Sequence, residues 1–102
     1  MSTSDTPAVV PVGESPAVIP LPTGLRAVVA LNNSEGIGDA AGAPDIIVNT
    51  GQMASLNPLT GVRLRPGELF NMPLLDPATG YQLALSAVAT GPGAVLQLLL
   101  RE

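Results

Sequence analysis

Glycine and proline interrupt this chain so often that long helices have little room. They number eleven each in 102 residues, and beyond residue 50 no stretch of more than about ten residues lacks one or the other. Proline fixes φ and removes a backbone donor, and glycine within a helix lowers its stability, so the segments between them suit short strands.

The segments carry strand patterns. Leu25, Ala27, Val29 and Leu31 alternate with Arg26, Val28, Ala30 and Asn32, the period of two that a strand requires. A Gly/Ala/Asp loop covers 33–44, and the β-branched run 45–50 ends at Gly51. Asn57-Pro58, Thr60-Gly61 and Pro66-Gly67 read as turns, with Val62 and Leu64 alternating with Arg63 and Arg65 between them. Residues 68–75 form a further candidate strand, placed at a sheet edge by Pro73. Tyr81 to Val88 alternates again, and the short connection 90–93 into 94–101 predicts an antiparallel hairpin for the last two strands. The expected fold is all-β, an antiparallel β-sandwich of jelly-roll-like form spanning 24–102.

Residues 1–23 differ. Five prolines fall between Pro7 and Pro22, interleaved with Ala8-Val9-Val10, Val12, Ala17-Val18-Ile19 and Leu21. Such a segment is extended, either polyproline-like or an edge strand. A flexible tail is the plain alternative, but a solvated tail seldom carries so many aliphatic side chains. An extended Pro-rich N-terminal arm is expected, reaching along a neighbouring molecule with Val9, Val10, Val18 and Ile19 as contacts.

Composition narrows the function. The chain is long enough for one modest core. It has no Cys, hence neither disulfide nor thiolate metal site, and no His, hence no imidazole base or ligand. Four arginines stand against eight acids, a net charge of −4, too little positive charge for nucleic acid or an anionic membrane surface. No apolar run approaches the ~20 residues of a membrane span. The first seven residues lack positive charge, so no secretory leader is expected and synthesis is assigned to the cytoplasm.

The candidate chemical motifs are weak. Gly36-Ile-Gly38-Asp-Ala-Ala41 resembles the start of a dinucleotide-binding turn, but Gly42 and Pro44 leave no helix to hold a pyrophosphate. Glu35, Asp39 and Asp45 with Asn32 and Asn33 offer calcium-type oxygens at a spacing that fits no calcium loop. Arg63 and Arg65 share one strand face near Glu68, suiting a salt-bridged surface or an acidic patch on a partner. The serines lack an activating base, and a glycosidase cleft lined by one Phe and one Tyr is poorly provided for. No enzyme, cofactor or metal is expected.

The closing strand points elsewhere. Leu96, Leu98 and Leu100 share one face, and Val95, Gln97, Leu99 and Arg101 the other. Burying Val95 and Leu99 would each contribute roughly 1.5–3 kcal/mol, against a whole-domain stability of ~5–15 kcal/mol. Either a second layer of the same chain or another subunit covers that face, and the expectation is an oligomer.

Leu25-Arg-Ala-Val-Val-Ala-Leu-Asn-Asn-Ser34, Ile46-Ile-Val-Asn-Thr-Gly51, Gly61-Val-Arg-Leu-Arg-Pro-Gly-Glu68, Tyr81-Gln-Leu-Ala-Leu-Ser-Ala87 and Gly93-Ala-Val-Leu-Gln-Leu-Leu-Leu-Arg-Glu102 follow in order. This succession resembles the small β-sandwich virion proteins of tailed bacteriophages, with a strand ending in Asn-Asn-Ser and a Pro-Gly-Glu turn. The resemblance implies a structural virion protein that decorates or cements the capsid, assembled in the host cytoplasm. Its partners would be its own copies, as a homotrimer, and the major capsid protein, contacted through the arm, Arg63, Arg65, Val95 and Leu99. Two alternatives are a head-fibre, neck or tail component, and a carbohydrate- or receptor-binding module using loops 33–44 and 76–80.

Overall fold

The computed structural model describes residues 6–34 and 43–101. Among them are ten strands and no helix: β1 (Thr6–Val12), β2 (Ala17–Ile19), β3 (Ala27–Asn32), β4 (Ile46–Thr50), β5 (Ser55–Leu56), β6 (Leu59–Thr60), β7 (Val62–Leu64), β8 (Leu69–Pro73), β9 (Leu85–Ala89) and β10 (Ala94–Arg101). The first sheet has the order β1-β10-β3-β8 and the second β2-β9-β4-β7, and every pairing is antiparallel. A small β5–β6 hairpin forms the third unit.

Alternation of side chains sets the core. Leu96, Leu98 and Leu100 of β10, Val28 and Ala30 of β3, and Met72 of β8 point inward from the first sheet. Ile46, Val48, Leu64, Leu85, Ala87 and Ala89 meet them from the second. One apolar cluster therefore joins both sheets, made of aliphatic side chains with no aromatic among its buried members. In β3 the inward face is Val28, Ala30 and Asn32, while Ala27, Val29 and Leu31 look outward. The bulkier half of the alternation is the outer half.

The first strands belong to the sheets. β1 pairs with β10 over seven positions, from Thr6 opposite Leu100 to Val12 opposite Ala94, and β2 pairs with β9. Residues 6–12 and 17–19 thus run extended, as proline demands, with a bend at 13–16 between them, but within the two layers and not as a separate arm, and strand pairing does not divide at residue 23. The reason lies in their aliphatic residues: Val12 and Ile19 are buried in the core, with Ala8, Val10 and Leu21 packed against it.

The last two strands do not form the expected hairpin. β9 lies between β2 and β4 in the second sheet, and β10 lies between β1 and β3 in the first. Residues 90–93 arch from one layer to the other, with Gly93 at a φ of 81°. Both strands carry apolar residues on both faces, and opposite layers let Leu85 and Ala87 share a core with Leu96 and Leu98.

The chain covers the middle of the outer face of its second sheet. Ile47 and Val88 point away from the main core and are fully buried with Ala54, from the segment leading into β5. The Ser86 hydroxyl anchors that segment, accepting the Ala54 N–H at 2.8 Å and donating to the Gln52 carbonyl at 3.0 Å. Gly61, at a φ of 123°, brings the hairpin back so close to β4 that a Cβ there would run into the Val48 carbonyl oxygen.

One buried amide ties the layers together at the 33–44 end. Asn32, on the first sheet, donates to the carbonyls of Pro44 (3.0 Å) and Leu64 (2.9 Å), the latter on β7 of the second. Its carbonyl oxygen accepts the Ser34 N–H at 3.0 Å and the Ser34 hydroxyl at 2.5 Å, and Ser34 Oγ in turn accepts the Val95 N–H at 3.0 Å.

Candidate functional site

Among the described residues nothing covers the outer face of the first sheet in this way. Register places Leu99 of β10 opposite Val29 of β3, and Val29 opposite Asn71 of β8. The next row runs Val9, Gln97, Leu31, Leu69 across all four strands. Val95 stands opposite Pro11, and Arg101 opposite Ala27. Val9 and Leu69 are 66% and 63% exposed, while Val29, Leu31, Val95 and Leu99 are half-buried by one another. The face is a flat aliphatic platform with two amides and, at its end, one arginine.

No described acid lies at an outward position of these four strands, although the chain carries a net charge of −4. Glu68, next to β8 in sequence, turns its carboxylate to the Arg65 backbone N–H at 2.8 Å. Gln97 accepts a hydrogen bond from the Asn33 amide at 3.3 Å.

The edges of this sheet are poor templates for strand addition. Pro7 and Pro11 sit two residues either side of Val9 on edge strand β1, so only one of the three alternate positions retains an N–H. The opposite edge strand, β8, ends in Pro73. Approach through the face is open, while pairing at the edges is impeded.

Of the residues expected to contact partners, Val9, Val95 and Leu99 come together on this platform. Val10 points to the inner side, and Ile19 is buried in the core. Val18, 53% exposed, stands on edge strand β2 of the second sheet, beside a groove of about 280 Å³. Arg63 and Arg65 lie on and just after β7, at the other edge of the second sheet. Arg63 Nε donates to Asp45 at 2.7 Å, and Arg65 is exposed. Val29, Leu31 and Leu69 complete the platform and were not singled out from sequence. Their signal was present in β3, which like β10 is apolar on both alternations.

The other candidate chemistry disperses. Glu35, Asp39 and the Gly36–Ala41 string lie outside the described residues. Asn32 has both ends of its amide engaged within the fold, and Asp45 holds Arg63. Among the described residues no group of three or more acidic side chains is placed to hold a metal ion. A groove of about 380 Å³ lies beneath exposed Tyr81, next to loop 76–80. Gln82 in that groove already accepts the Leu25 N–H at 2.8 Å and donates to the Pro22 carbonyl at 2.9 Å. Thr23, Arg26 and Tyr81 line the same groove.

No protein-family model matches this chain, and no curated protein or solved structure matches it.

Proposed function

We propose that this chain is a structural virion protein of a tailed bacteriophage, a decoration or cement protein that self-associates and binds the major capsid protein on the head surface. The observation that carries this is the uncovered aliphatic face of the first sheet, on a chain that covers the second sheet with its own hairpin. A contiguous exposed aliphatic face suits a surface that other protein covers. We further infer that the fold is a jelly-roll β-sandwich: eight strands in two four-stranded layers, with successive strands alternating between layers except at the β5–β6 insertion. Jelly rolls of this kind recur in viral capsid proteins, which supports the same role, as does the resemblance of the strand and turn sequences to phage virion proteins. Large aliphatic contact with few Trp, Tyr or Arg anchors suits many weak attachments repeated over a lattice better than one tight complex.

Sedimentation with assembled heads of the source virus tests this role. The full chain is expected to pellet with assembled heads and to remain in the supernatant with free coat subunits. A chain that stays soluble beside heads contradicts it, as does one that instead binds a glycan array through the 76–80 loop.

A further inference from the structure

We propose that the occupant of the first sheet's outer face is a second copy of this chain, docked face to face about a two-fold axis. This rests on the reading above that the face is covered by protein, and it names which protein.

Charge favours a like partner. Two copies with a net charge of −4 repel one another unless their acids stay clear of the contact. Among the described residues this face meets that condition, with no acid at an outward position and Arg101 only at its end. A partner recognised by charge would need a charged platform, which this is not.

Shape and area favour it too. The molecule is a slab of 40 × 34 × 18 Å, so a sheet's outer face is among its broadest surfaces. Four strands about 4.8 Å apart, of seven, eight, six and five residues, give a footprint of roughly 420 Å². A face-to-face pair thus covers on the order of 850 Å² before corrugation is counted, below the ~1,000 Å² of a tight interface and in keeping with a weak, reversible pairing. Two flat sheet faces with aliphatic side chains stack as sheets do in a sandwich, about 10 Å apart. An isologous contact presents each residue to its own surroundings in reverse. One flat face meeting itself gives a pair as the unit formed by this surface, whereas a trimer needs two different surfaces. Proline at both sheet edges disfavours the edge-to-edge alternative.

Sedimentation equilibrium of the full chain tests the pairing. The wild type is expected to reach twice the 10.3 kDa chain mass with a dissociation constant of micromolar order, as a small interface allows. Leu99→Glu sets like charges across the axis and should weaken pairing about 100-fold or more. Leu69→Glu, at a far more exposed position, should weaken it as well, and guards against a folding defect in the first variant. Val18→Glu, on the second sheet, should leave the mass unchanged, and circular dichroism should be the same for all. A wild type that stays at the single-chain mass into hundreds of micromolar overturns the proposal, and so does a pair indifferent to both Leu99→Glu and Leu69→Glu.

The head-binding assay separates the two ideas. If the wild type is solitary but pellets with heads, and Leu99→Glu does not, the face belongs to a coat protein and pairing is refuted while the virion role survives. If the pair forms and Leu99→Glu dissolves it, yet neither protein pellets with heads, pairing stands and the virion role falls.

Discussion

Asn32 shows how much of the fold a single side chain can hold. It is fully buried, and two of its four hydrogen bonds join a first-sheet strand to Pro44 and to β7 of the second sheet, while the other two come from Ser34. Replacing it by alanine strands the Pro44 and Leu64 carbonyls in the interior, and each unsatisfied buried group costs ~1–3 kcal/mol. Asn32→Ala should therefore lower unfolding stability by about 3 kcal/mol in a urea titration, with the slope unchanged. A loss below about 0.5 kcal/mol, the scale of an ordinary surface substitution, would mean that the amide is not the joint between layers. In sequence Asn32-Asn33-Ser34 is legible only as the polar end of a strand. Nothing local distinguishes a solvated turn from a buried amide whose partners are 12 and 32 residues away.

At the scale of elements, strand positions were readable and layer membership was not. β3, β4, β7, β8 and β10 fall where alternation and turn residues put them, and Pro73 lies on an edge strand as its missing N–H requires. The short 90–93 connection suggested a hairpin because loop length is a local signal, whereas the choice between pairing and arching depends on what lies across the core. The proline-rich start was read as extended, which holds for β1 and β2. Its aliphatic residues turned out to complete the chain's own core.

This changes what truncation should do. Deleting residues 1–22 removes an edge strand from each sheet together with Val12 and Ile19 from the core. Each such side chain contributes roughly 1.5–3 kcal/mol when fully buried, so the shortened chain should unfold at a much lower temperature or fail to fold cooperatively. A truncated chain with wild-type thermal unfolding would instead mean that the segment is a dispensable arm.

For the whole molecule the two sheets are unequal. The second has the middle of its outer face covered by the 51–61 segment through Ala54 and Ser86, with Val18 exposed at its edge, and among the described residues nothing covers Val9, Val29, Leu31, Leu69, Val95 and Leu99 of the first. The sequence showed apolar residues on both sides of the closing strands. Which strand is covered within the chain, and which is left for a partner, followed only from the register and from where the β5–β6 hairpin lies. Membership of a virion is a further step, tested with heads and not with the isolated chain.

The chain contains no cysteine, so a single introduced thiol reports its own surroundings. Maleimide labelling of Leu69→Cys, compared with Val18→Cys on the second sheet across a range of protein concentrations, asks most directly whether the platform is covered. Labelling at residue 69 should slow markedly as concentration rises while labelling at residue 18 stays constant. Equal rates at the two positions at every concentration, with or without heads present, would contradict a covered first-sheet face.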